Sequence, residues 1–167
     1  MDIETETSRK LHDEHMTVRA FLEKLGARLA AQKAGELPSA EDRAIAGLLG
    51  DLSAIVESEL APHFRFEEEV LFPLLKLSGA ADMTELLTEE HNVILPLGYE
   101  LCELARSFPL QGYTRESWGR FRRGGMEFAE RLIAHIDKEE MGLVPMLDTL
   151  VDQDKDIELI NVYAAMR

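Results

Sequence analysis

His63-Phe64-Arg65-Phe66-Glu67-Glu68-Glu69-Val70-Leu71-Phe72-Pro73-Leu74-Leu75 and His135-Ile136-Asp137-Lys138-Glu139-Glu140-Met141-Gly142-Leu143-Val144-Pro145-Met146-Leu147 are two copies of one pattern, His-x-x-x-Glu-Glu-x-x-Leu-x-Pro-x-Leu. Upstream of each copy stands a leucine with a Glu-His pair three residues on: Leu11, Glu14, His15 before the first and Leu87, Glu90, His91 before the second. Nine positions match, and they include four of the five histidines, so the repeat concerns chemistry as well as packing. On a helix a four-residue step advances about 6 Å and rotates only about 40° from superposition, so His63 with Glu67, and His135 with Glu139, leave one face together. A neutral imidazole is a strong nitrogen donor, and a carboxylate has two oxygens that can join a pair of cations.

Outside the repeat, apolar residues recur at three- and four-residue spacing, as in Leu11, Val18, Leu22, Leu25 and Leu29, and no stretch sustains strand-like alternation. The chain reads as all-α. A first helix is expected over Thr7 to Lys33, stopping at Gly35. A second runs from Ser39, where Ser-Ala-Glu-Asp resembles a capping box, to Leu77, with a kink or break at Pro62. A third spans Asp82 to Ser107 with a kink at Pro96, and a fourth runs from Thr114 to Leu150 with a weak point at Gly124 and Gly125. A short fifth covers Asp154 to Ala165.

The short connections Ala34 to Pro38 and Pro109 to Tyr113 require antiparallel neighbours, so the most economical architecture is an up-down-up-down four-helix bundle with a short additional C-terminal helix. No linker divides the chain, and residues 1–167 are expected to form one domain, with the bundle core at about 7–150 and the C-terminal helix at about 152–166. Trp118, Phe121, Phe128 and Leu132 fall at helical spacing as a packing stripe, and Leu71, Leu75, Leu143 and Leu147 read as core. Ile157, Ile160 and Tyr163 give the last helix an apolar face that packs on the domain itself or, alternatively, serves a homodimer.

At 167 residues the chain can bury a core without staples. Its formal charge of −14 repels nucleic acid and anionic membrane, and no run is apolar for long enough to span a bilayer. A single cysteine, Cys102, cannot close an internal disulfide, which points to a reducing, cytoplasmic setting. Serines are few and lack a nucleophile-elbow pattern, and glycine-rich phosphate loops are absent.

If the first two helices form one pair and the last two another, each offers two histidines and one glutamate to the bundle axis. One metal would then take His15 and His63, the other His91 and His135, with Glu67 and Glu139 shared. Imidazole with carboxylate suits iron, zinc or copper, and two shared carboxylates favour a dinuclear iron site. Glu68 and Glu140 are turned about 100° from their neighbours and are expected to hydrogen-bond or ion-pair rather than ligate. His12 has no counterpart, the second copy having Thr88, and reads as a surface residue.

These residues together resemble the hemerythrin-like family of HHE cation-binding domains, on His15, His63-x-x-x-Glu67, His91, His135-x-x-x-Glu139 and the Glu-Glu-x-x-Leu-x-Pro tail from Glu67 to Pro73. The resemblance implies a four-helix bundle around two non-haem iron ions bridged by the two glutamates. Ferritin-like bundles use Glu-x-x-His and more carboxylates, a pattern absent here. One departure stands out: oxygen-carrying hemerythrins have His-x-x-x-His on the third helix, whereas His91 is followed by Leu95. Another is Glu139, where oxygen carriers have aspartate at a five-residue step. By resemblance the roles open to such a centre are binding a small diatomic ligand, oxygen or nitric oxide, for sensing or storage; decomposing peroxide as an oxidoreductase; or handling iron in stress repair. A bundle in which a structural metal, zinc included, supports an interaction surface is the remaining reading. With Leu95 unable to ligate, Glu59, Tyr99 and Glu23 are the nearest further oxygens, though none has a symmetric partner.

Overall fold

The computed structural model describes residues 3–167, and its described residues form five helices and no strand. Helix α1 is Glu6–Ala31, α2 covers residues 43–77, α3 is Ala81–Gln111, α4 covers residues 115–150 and α5 is Gln153–Met166. The first four run alternately up and down. α1 packs on α4, α4 on α3 and α3 on α2, while α5 lies across α1 and the middle of α2. No helix among the described residues is long and apolar enough to cross a membrane.

Local chemistry sets the ends. Thr5 caps α1 by accepting from the Ser8 N–H, Thr114 and Ser117 form a capping box at the start of α4, and Gly35, Gly79 and Gly112 turn the chain at positive φ between helices. α2 starts four residues later than the Ser39 motif suggests. Asp42 is the cap that accepts from Ile45 N–H, and it also pairs with Arg28 of α1, whereas Ser39 is used in the preceding turn. The tertiary pairing of Asp42 outweighs the local capping-box signal.

Prolines do not break these helices. Three of them follow a wide turn in which the preceding residue donates to the carbonyl five positions back: Ala61 to Val56 before Pro62, Phe72 to Glu67 before Pro73, and Val144 to Glu139 before Pro145. A proline has no N–H and its ring crowds the carbonyl four residues earlier, and the wide turn absorbs both demands without ending the helix. α3 runs without interruption through Pro96 and Pro109 to Gln111, four residues past its expected end at Ser107. α4 likewise continues through Gly124 and Gly125. A Cβ on Gly125 would stand 2.7 Å from Leu29 Cδ1, so this glycine marks the close approach of α1 rather than a weak point.

Two apolar clusters fill the bundle. One holds Leu22, Leu25, Leu52, Val56, Phe64, Ile94, Phe121, Phe128 and Leu132, together with Trp118. The other holds Leu11, Phe66, Leu71, Leu75, Leu143, Leu147, Leu159 and Tyr163. The expected stripe on α4 and the four repeat leucines are therefore core. On α5 the buried side chains are Asp156, Leu159 and Tyr163, and Ile157 is 52% exposed, so of the expected face Tyr163 packs on the domain whereas Ile157 faces outward. α5 packs through this face because Asp156 caps the start of α1, accepting from Glu6 and Thr7 N–H at 2.7 and 2.9 Å. Asp148, at the end of α4, accepts from Thr5 N–H and hydroxyl at 2.8 Å beside it.

Asp156→Ala leaves the two α1 amides without acceptors and is expected to cost about 1–3 kcal/mol, read from the urea midpoint. Burial works against ionisation of Asp156, but the Thr7 side chain and amide hold its pKa below the ordinary carboxylate value. Its contribution is therefore present above that value and disappears as pH falls through the depressed one, so the wild-type and Asp156→Ala stabilities should converge in acid.

Candidate metal centre

Between the two apolar clusters lies a polar layer. His15 comes from α1, His63 and Glu67 from α2, His91 from α3, and His135 and Glu139 from α4, and all six are at most 4% exposed. The structure brings together every side chain expected at the centre. His15 Nε2 faces His63 Nε2 at 3.2 Å, and His91 Nε2 faces His135 Nε2 at 3.1 Å. Glu67 lies between the pairs, with Oε1 3.2 Å from His63 Nε2 and Oε2 3.4 Å from His91 Nε2. Glu139 does the same from the other side, Oε1 at 2.9 Å from His135 Nε2 and Oε2 at 3.1 Å from His15 Nε2. Two overlapping donor groups result: His15, His63, Glu67 and Glu139; and Glu67, His91, His135 and Glu139.

Each ring is held from behind by a carboxylate. Nδ1 of His63 meets Glu14 at 3.0 Å, that of His135 meets Glu90 at 2.8 Å, that of His15 meets Glu140 at 2.5 Å, and that of His91 meets Glu68 at 2.7 Å. An ionised carboxylate only accepts, so Nδ1 carries the hydrogen and each Nε2 turns a lone pair inward. Phe64 stacks on the His91 ring at 3.6 Å between centroids and an 8° angle, and meets His135 edge-on at 5.3 Å. The rings are thus fixed by hydrogen bonds behind and aromatic contacts beside them.

Four inward lone pairs and two carboxylates repel one another unless positive charge sits among them. The four oxygens of Glu67 and Glu139 are buried without a hydrogen-bond partner, and each such orphaned acceptor costs on the order of 1–3 kcal/mol or more. Donor atoms about 2.1 Å from a common ion and at right angles to one another stand about 3.0 Å apart, the scale of the spacings here. The donor set can therefore hold metal cations, and its nitrogen content suits transition metals over magnesium or calcium.

Protons answer the same demand when no cation is bound. Burial disfavours the charged imidazolium, yet the carboxylates of Glu139 and Glu67 more than reverse this at His91 and raise its pKa to about 9. Against the same burial, Glu67 and Glu14 raise His63 well above the usual range, and Glu139 and Glu140 raise His15. Burial also opposes ionisation of Glu139, but His135 and the other imidazoles hold it well below the ordinary value.

Other sequence candidates fall elsewhere. Glu68 and Glu140 take the hydrogen-bonding positions behind rings rather than the centre. His12, read as a surface residue, keeps a partly exposed side chain whose Nδ1 lies 2.7 Å from Glu140, and it belongs to neither donor group. Glu59 pairs with Arg167, Tyr99 is 42% exposed, and Leu95 packs against the apolar cluster beside the centre. Glu23 is exposed on α1. Sequence reasoning assigned no role to Glu14 and Glu90, although both recur in the repeat. It placed Tyr163 only on the apolar face of the last helix, not as the hydroxyl that donates to Glu14 at 2.5 Å, and it assigned no role to Arg167, which pairs with the same carboxylate.

Once metal is removed, His91 should contribute full stability below its ordinary pKa of 6.5, and the contribution should vanish as pH rises through about 9. Melting temperatures of the chelated protein are expected to fall across that window while those of the metal-loaded protein do not; parallel curves would contradict the proton-for-metal exchange. No curated protein matches the chain. The hemerythrin HHE cation-binding domain is matched over residues 7–147, a span that contains both donor groups and all four bundle helices to within a few residues of their ends, and the chain belongs to that family.

Proposed function

We propose that this protein holds two iron ions, one between His15 and His63 and the other between His91 and His135, with Glu67 and Glu139 bridging, and that the pair binds oxygen or nitric oxide for sensing or storage. The observation that carries the reading is the convergence of four imidazole Nε2 atoms with four unpartnered carboxylate oxygens in one buried layer. Bound iron supplies redox-active positions at which a small ligand can be taken up. The chain's own residues do the rest. Glu14, Glu68, Glu90 and Glu140 keep each imidazole in one tautomer, and Glu67 and Glu139 set the separation of the two positions.

Access and selectivity follow from the surroundings. A cavity of about 10 Å³ adjoins the His15 and His63 side and is walled by Val18, Leu60, Phe64, Leu132 and Ile136. Such a volume admits about one water-sized sphere, which favours a small ligand there. Glu14, Glu59 and the histidines and glutamate of the layer complete the cavity lining.

A second reading, peroxide decomposition, rests on Leu95. This side chain, half-buried against the apolar cluster, occupies the position one turn after His91 and provides no nitrogen donor, which leaves more of the coordination sphere to exogenous oxygen ligands. A structural metal, zinc included, serving an interaction surface requires neither the cavity nor the two bridging carboxylates.

Protein prepared with iron available should contain about two irons per chain by elemental analysis, and Glu67→Ala or Glu139→Ala should lower that content. Exposing the reduced protein to oxygen should change its visible absorption reversibly. Irreversible oxidation with sustained oxygen evolution from peroxide, lost in Glu67→Ala, would favour the second reading; one zinc with no response to either oxidant would overturn both.

A further inference from the structure

The two halves of the centre are equivalent in their repeated residues and unequal in what stands behind them. Glu14, behind His63, also receives the Tyr163 hydroxyl at 2.5 Å, Lys10 Nζ at 3.0 Å and the Arg167 guanidinium. Glu140, behind His15, receives His12 at 2.7 Å as well. On the other side, Glu90 receives only Lys138 at 2.6 Å in addition to His135, and Glu68, with a side chain 39% exposed, holds His91 alone among the described residues. None of the extra donors belongs to the repeat. His12 corresponds to Thr88, Lys10 to Leu86 and Lys138 to Phe66, and Tyr163 and Arg167 lie on α5 or at its end, beyond the matched span.

The placement of Tyr163 is built rather than incidental. Its ring is 1% exposed and stacks on Phe66 at 4.3 Å and 19°, with Phe66 in turn three residues from His63 on α2. The Arg167 guanidinium lies 5.6 Å from the Tyr163 ring centroid and reaches Glu59 and the Ser58 carbonyl as well as Glu14. α5 thus clamps one carboxylate from two directions, and that carboxylate orients one imidazole.

On the reading of the layer as a two-ion centre, we infer that Tyr163 and Arg167 are positioning residues for the His15–His63 position alone, so that the two ions are bound with different affinities and α5 governs one of them. A carboxylate that orients a ligating histidine is held in place by its own partners, and loss of such outer contacts typically weakens metal binding about 10–100-fold. Among the described residues no hydrogen bond or ion pair joins Glu68 or Glu90, behind the His91–His135 position, to α5, so the loss falls first on the other position.

The test is an anaerobic titration of the metal-free full chain with Co²⁺, a coloured divalent ion, followed by visible absorption. Wild type is expected to fill in two steps with distinguishable bands. Tyr163→Phe, which keeps the stack on Phe66, should weaken one step about tenfold and leave the other. Arg167→Met should act on the same step, and Lys138→Met on the opposite one. Helical circular dichroism checks that each variant is folded, and Arg167→Met carries the test if Tyr163→Phe is not. Equal weakening of both steps, or of neither, would overturn the inference while leaving a two-ion centre intact. Uptake of fewer than two Co²⁺ by wild type would instead overturn the two-ion reading, and this inference with it.

Discussion

The hydrogen bond from each imidazole Nδ1 to a carboxylate is the constraint on which the structure depends. It fixes four tautomers at once and so commits four Nε2 lone pairs to a common buried layer. The layer cannot be neutral by itself, and the bundle encloses it with apolar clusters on either side, which denies it water. Positive charge must come from protons or from metal. Stability, metal affinity and pH response are for that reason one coupled property of this fold rather than three.

Much of this arrangement was legible in the sequence, and the reason is periodicity. The four-residue step between histidine and glutamate survives because Glu67 and Glu139 N–H groups still bond to the His63 and His135 carbonyls, so ordinary helical geometry holds across each pair. The duplicated leucines sit in the core for the same reason. The roles of Glu14 and Glu90 were not legible even though they recur, because their imidazole partners lie 49 and 45 residues away on the next helix. Tyr163 was legible as an apolar-face residue of the last helix but not as a donor to Glu14, and Arg167 had neither a repeat nor a local pattern to announce it. Ser39, Pro109 and Gly125 misled: the cap of α2 falls at Asp42, which pairs with α1, α3 runs past Pro109 to Gln111, and Gly125 marks the close approach of α1.

The prolines of the repeat show how local sequence and site are joined. In both copies the wide turn starts at the glutamate that enters the central layer and closes just before the proline, so the backbone irregularity falls on the residue whose side chain matters. Pro62 adds a third such turn immediately ahead of His63. These turns let a helix carry a proline and a buried charged side chain within two turns of each other.

The outer carboxylates cross over in a way that concerns the assembly of the whole. Glu14 and Glu90 serve histidines within their own half of the chain, whereas Glu140 serves His15 and Glu68 serves His91, each in the opposite half. Glu67 and Glu139 also divide their oxygens between halves. One helical hairpin alone therefore completes neither donor group: it lacks an outer carboxylate for its first histidine and one of the two central glutamates. The smallest object that satisfies all the donors is a pair of hairpins related by a pseudo-dyad, and covalent linkage of the two in one chain is what permits α5 to treat them differently.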